Sequence, residues 1–256
     1  MMVRSWFVAA LSLGTLAAWT PSTPLASKQY RVDLKTSVTQ DLTAVGQGQQ
    51  KLEYTTAAFV TLSTADSAGG QSLKLVLDSL VPGEGAPIPP DAAKGAAGLT
   101  WHGFRQASGK VGALTLEGDS QIGGMVEPAL RQLIPPMKPG TREGQQWTDT
   151  TDADNNGVSV RTVTNFQTTS ETFNGVKVTR LAGAFSSAMS GTQQSAQGTL
   201  NLEGNGSGTI TWLIGADGLT VSATNSANQN ISVSVATLPE PIPVTVKTEG
   251  TASLLK

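Results

Sequence analysis

From Tyr30 onward, apolar and polar residues mostly alternate. Tyr30, Val32 and Leu34 fall on one side of an extended backbone and Arg31, Asp33 and Lys35 on the other, which is the pattern of a half-buried strand. A Gly/Gln turn at 46–50 leads to a second strand from Leu52 to Leu62. Ala68-Gly69-Gly70 then turns into a third, in which Leu73, Leu75 and Leu77 alternate with Lys74, Val76 and Asp78. Leu99 to Arg105 and Lys110 to Glu117 pair around Ala107-Ser108-Gly109. The same plan returns later in the chain. Trp147 opens a short strand and Val158 to Phe173 forms a long one. Asn174-Gly175, the strongest hairpin signal present, reverses the chain into Val176 to Met189. A polar turn rich in Gln and Ser leads to Thr199–Ile214, where Gly204 to Gly208 predicts a bulge or break. Ala216-Asp217-Gly218 turns into Leu219 to Val235, and Val244 to Leu254 closes the series.

In one place the period changes from 2 to 3.6. Between Ile122 and Trp147, the residues Met125, Val126, Leu130, Leu133 and Ile134 share one helical face, while Arg131 and Gln132 point away. Gly123 and Gly124 are expected to break the preceding strand. Pro128 is expected in the first helical turn, where its missing N–H is harmless, and Pro135-Pro136 to stop the helix. The pattern therefore predicts an all-β, mainly antiparallel protein of about ten to eleven strands in a curved sheet or incomplete barrel. Two similar halves, 27–121 and 148–256, form one domain joined by the helix and Pro-rich joint at 122–147. The segment 82–98, rich in Pro and Gly, is incompatible with an interior strand or helix. It reads as disorder first, and as a lid or binding loop second.

Residues 1–26 change the address. Arg4 followed by a short apolar run and small residues reads as a secretory signal peptide, with Ala17, Ala18 or Ala26 as cleavage points. The run is too short for a spanning helix, so no transmembrane segment is expected after cleavage. The 256-residue chain contains no cysteine, which rules out disulfide stapling and favours a bacterial periplasmic or extracellular location. The sequons at Asn205 and Asn230 then read as incidental. Seventeen basic against nineteen acidic residues give a formal charge of −2, which argues against a nucleic-acid partner. Charged residues make up only 14% of the chain, and Ser and Thr outnumber them, as suits exposed faces of antiparallel sheet.

Candidate chemistry is sparse. His102 is the only histidine and sits inside a strand, so a nucleophile–base pair has a single possible base, and no G-x-S-x-G turn is present. One His and no Cys exclude an ordinary zinc site. Asp152-Ala153-Asp154-Asn155-Asn156-Gly157 opens like a calcium loop. The twelfth position, however, is Val163, which has no ligand oxygen, so a polar hairpin tip is the simpler reading. No enzyme activity, cofactor or metal is expected. What remains is the burial of a large apolar sheet face with one helix to cover it. Trp101, Met125, Leu130, Leu133 and Trp212 are the expected lining if part of that face is a cavity for a lipid or other apolar molecule. A fully packed face serving a structural or protein-interaction module of the envelope is the competing expectation, with its protein partner unspecified.

The run Pro136-Met137-Lys138-Pro139, leading through Gly144 to Trp147, resembles the P-x-K-P…G-x-x-W joint of a family of exported bacterial proteins with no assigned activity. The strand–helix–strand plan is also similar to periplasmic carriers of the LolA and LppX type, whose curved half-barrel holds acyl chains. That likeness is architectural, and fold analogy alone does not carry a function across.

Overall fold

The computed structural model describes residues 24–255, except 139, 156, 196–197, 236–237 and 239. The expected signal peptide lies almost wholly outside the described residues. Only its last positions fall inside, and there Ala26 already pairs opposite Thr64 in the first strand.

Eleven strands form one antiparallel sheet, which does not close into a barrel. The first half comprises β1 (Pro24–Leu42), β2 (Gly48–Ser67), β3 (Gly70–Pro82), β4 (Thr100–Gln106) and the two-residue β5 (Thr115–Leu116). The second comprises β6 (Gln146–Asn155), β7 (Val158–Phe173), β8 (Val176–Ser195), β9 (Gly198–Ile214), β10 (Thr220–Val235) and β11 (Ile242–Leu254). The spatial order is β5-β4-β3-β2-β1-β11-β10-β9-β8-β7-β6. Each half is thus a meander. The first walks outward from the middle to one edge, and the second walks inward from the other edge until β11 pairs with β1. The chain must cross from edge to edge once, and residues 117–145 do so over the inner face.

The sheet is curled at the end where β1 begins. Arg105 on β4 donates through Nη1 to the Gly218 carbonyl of the β9–β10 turn at 3.1 Å, across six positions of the sheet. The Tyr30 hydroxyl donates to the Thr220 carbonyl at 2.8 Å, and Lys28 pairs with Asp217. Partial burial works to raise the Asp217 carboxyl. The Lys28 ammonium and the Leu219 N–H outweigh it, and the group sits below its ordinary value. A carboxylate held low in the folded state stabilises above its unfolded value of about 4, and that stabilisation is lost as pH falls through the folded value. Asp217→Asn, which resembles the protonated carboxyl, is therefore expected to lower Tm modestly above about pH 4 and to converge with the parent as pH falls toward 2, which flattens the acid limb. Parallel acid limbs for the two proteins, measured by thermal melts from pH 7 to 2, would refute the assignment.

The crossing segment opens with α1's longer counterpart. The short helix α1 (Pro90–Gly95) lies between β3 and β4, and α2 (Gln121–Leu130) follows β5, continuing as one 3-10 turn over Arg131–Leu133. The start of α2 differs from expectation. Ser120 Oγ accepts the Gly123 N–H at 3.2 Å, so the helix begins before the glycines rather than after them. Gly123 is inside because it must be small: a Cβ there would lie 2.4 Å from Leu116 Cδ2. Pro128 therefore sits in the helix interior, where it supplies no N–H to the carbonyl four residues back, and the α geometry tightens to 3-10 shortly after. Val126, Ala129, Leu130, Leu133 and Ile134 are buried, each larger side chain worth about 1.5–3 kcal/mol by transfer.

Two further expectations are corrected. Residues 82–98 are folded: Pro90 starts α1 at a position where proline is tolerated, and Ile88, Ala93 and Ala96 are buried in the core. These small apolar residues make the segment a flap over β2–β3. Residues 204–208 hold no bulge, because β9 stays in register with β8 and β10 across them; the one shift between β9 and β10 falls at Thr220–Ser222. At Gly208 a Cβ would fall 2.3 Å from the Ser226 carbonyl oxygen and 2.6 Å from Cζ of Phe185, its cross-strand partner. The glycine lets the sheet bend sharply under an aromatic ring.

Candidate functional site: an apolar trough beyond the capped core

The inner face divides into two zones. In the first, the crossing segment packs on Tyr30, Val32, Val60, Leu75, Trp101, Leu181 and Ile214, all at most 1% exposed. Polar pins hold it down. Trp212 Nε1 donates to the Gln132 carbonyl at 2.9 Å, Thr220 Oγ1 to the Leu133 carbonyl at 2.9 Å, and Thr168 Oγ1 to the Arg142 carbonyl at 2.6 Å. Trp147, Phe166 and Trp212 stack in series at 5.1 and 6.4 Å, and the Lys138 ammonium lies 5.8 Å over the Trp147 ring. The side chains of this zone are closely packed and shielded from solvent.

The second zone begins where α2 ends its cover. Register places Val160, Met189, Gly204, Ile231 and Val244 in one row across five strands, facing inward. The next row outward is Val158, Gly191, Leu202, Val233 and Ile242. Apart from Val158, which is buried, these residues are half-buried, and no helix covers them among the described residues. Ser187 faces in and is half-buried where Ser186 faces out and is exposed, but outward Ser232, Ser234 and Thr245 are half-buried as well. Nearer α2 the inward row is more polar, running Thr162, Ser187, Gly206, Gln229 and Val246. The inner face past the crossing segment is thus an open strip with two apolar rows, the inner trough. At its head, between α2 and the β1–β2 floor, lies a cavity of about 70 Å³ lined by Leu34, Thr36, Tyr54, Ile88, Met125 and Val126. That is well below the roughly 300–1,000 Å³ of a pocket for a whole small ligand. It suits the tip of one.

A larger furrow, about 1100 Å³, crosses the opposite face between two outward-facing rows. Asp152, Arg161, Asn205 and Asn230 form one bank, and Asp154, Ser159, Glu203 and Ser232 the other. The row of Val160, Met189, Gly204, Ile231 and Val244 forms its floor, and it is broad and open to solvent, with nothing among the described residues to enclose a ligand, so size alone does not make it the site.

Of the residues nominated from sequence, Trp101, Leu130 and Leu133 are fully buried and Trp212 is 5% exposed; all four belong to the packed zone. Met125, 46% exposed, is the one that lines a cavity. The trough residues Met189, Ile231 and Val244 were legible by a length argument. Twenty residues of β8 span about 65 Å, whereas ten residues of α2 cover about 15 Å. One helix cannot roof such strands. Elsewhere, His102 faces out with Nε2 3.5 Å from Glu117 Oε2, both side chains exposed. At the hairpin tip after β6, Asp154 Oδ1 accepts the Gly157 N–H at 3.1 Å; Asn156 lies outside the described residues. Among the described residues no three His, Cys, Asp or Glu side chains gather as a metal site would need, and no helix is long and apolar enough to cross a membrane.

No protein-family model matches the chain, and no curated protein matches it significantly.

Proposed function

We propose that this protein is an exported, non-enzymatic binder of an elongated apolar molecule, a lipid or one of similar chain, held along the inner trough with its tip under α2. The carrying observation is that two inward apolar rows of β7–β11, beyond the more polar row of Thr162, Ser187, Gly206 and Gln229, lie past α2, the longest helix among the described residues, and stay uncovered. Soluble proteins seldom leave a large contiguous apolar surface without a use for it.

The test is native mass spectrometry of the protein purified from its own cells, followed by organic extraction and by titration with an anilinonaphthalene dye. A reproducible adduct of lipid mass is expected. Ile231→Glu and Met189→Glu, on the inward row, should lose the adduct and weaken dye binding at least tenfold, about 1.4 kcal/mol. Asn230→Glu, one residue away but facing outward, should do neither. A clean apo mass with dye binding indifferent to the inward charges would end this reading.

A second reading keeps the same surface but gives it a protein partner in the envelope. The small volume beneath α2 favours it, since the helix-capped zone has no room for a whole ligand. Crosslinking from residue 231 that captures one defined protein, with no lipid extracted, would select it.

A further inference from the structure

We propose that the side-chain amides of Gln132 and Asn225, converging over Gly250, form a polar subsite for a hydroxyl group carried by an otherwise apolar ligand. The inference rests on the trough reading above and specifies what the trough takes.

Gln132 lies in the 3-10 turn after α2 and is 3% exposed. Its backbone carbonyl is held by the Trp212 indole, which fixes it over β9. Its side-chain Oε1, however, is buried without a hydrogen-bond partner among the described residues. So is Oδ1 of Asn225 on β10. The two amides meet at Gly250, which stands opposite Asn225 on β11. A Cβ on Gly250 would lie 2.2 Å from Asn225 Oδ1, 3.0 Å from Gln132 Nε2 and 3.0 Å from Leu34 Cδ2. Leu34 in turn lines the cavity under α2. The pair therefore stands where the packed core gives way to the trough, beside its head.

A buried amide oxygen without a partner is costly; at Gly250 the orphan Asn225 Oδ1 and the Gln132 Nε2 donor converge, and Gln132 Oε1 is a second orphan on the same side chain. Apolar residues fill the equivalent inward positions one row away, Ala223 and Ala252, so packing alone does not call for amides here. A hydroxyl can donate to one amide oxygen and accept from the other amide's N–H; a water molecule can do the same, and an ether oxygen can only accept. The geometry thus separates a long-chain alcohol or hydroxylated acyl chain from a plain hydrocarbon chain.

The experiment is displacement of the anilinonaphthalene dye from the full chain by 1-dodecanol and by dodecyl methyl ether, which share a chain but not the donor. Dodecanol is expected to compete at about tenfold lower concentration. In Gln132→Met and Asn225→Ala the advantage should vanish, with the ether unchanged. Equal competition by both probes in the unaltered protein means the amides hold only a water molecule; that overturns the subsite and leaves the trough intact. Failure of both probes to displace the dye overturns the trough and the subsite together. Gln132→Met conserves volume and removes a buried orphan oxygen, so its urea midpoint should equal or exceed that of the parent. A large drop would mean that the side chain is a structural partner, which also sinks the proposal.

Discussion

Trp212→Ala is expected to lower the unfolding free energy by about 3–5 kcal/mol, a large fraction of what a domain of this kind possesses. The indole is 5% exposed, its ring contacts Phe166 at 6.4 Å, and its N–H satisfies the Gln132 carbonyl. Two terms therefore fall together: the cavity left by the ring and an orphaned carbonyl. Trp212→Phe separates them, since it keeps most of the ring and loses only the donor, and should cost about 1–3 kcal/mol. Urea midpoints for the two variants at constant slope give both values. A shift under about 1 kcal/mol for the alanine variant would show that the crossing segment is not pinned where the hydrogen bond places it.

Leu133→Asp is expected to abolish cooperative folding. Leu133 is fully buried at the centre of the capped zone, and among the described residues no cation lies in its cluster to pair with a carboxylate. An unpaired buried charge costs several kcal/mol beyond the lost transfer energy, enough to exceed the usual margin of stability. Leu133→Ala, which creates a cavity but no charge, should stay folded with a loss of about 2–5 kcal/mol. Near-ultraviolet circular dichroism and urea titration distinguish the cases. A folded Leu133→Asp protein with a midpoint near the parent's would mean that water reaches this position. The same physics explains why charges introduced to test ligand binding belong at Ile231 or Met189. At Trp212 or Leu133 they would report folding instead.

Strand content and order were readable because period-2 alternation and turn chemistry act locally. Asn174, at φ 50, and Gly175, at φ 78, adopt the left-handed geometry that their pairing in sequence implies. The helix face was readable for the same reason, its start less so. Ser120 is an ordinary N-cap residue, but two glycines after it resemble a strand break, and only the approach of Leu116 explains them. The folding of residues 82–98 was hidden because its anchors are Ile88, Ala93 and Ala96, whose burial depends on a sheet distant in sequence. The candidate site was partly legible. Apolar lining near Trp212 and Met125 follows from composition, but which of those residues is core and which is wall depends on how far one helix reaches. The amides over Gly250 left no mark in the sequence at all, since β10 and β11 meet there only through register.

The first and last of the described strands meet in the middle of the sheet, where Tyr30 stands opposite Leu254. Every other strand pairing joins neighbours along the chain, while one ladder must wait for a loop of roughly two hundred residues to close. The slow event in folding is therefore a single seam. Until β1 finds β11, each meander carries an unpaired edge, and the time spent with those edges open sets the exposure of the nascent protein to strand-to-strand aggregation.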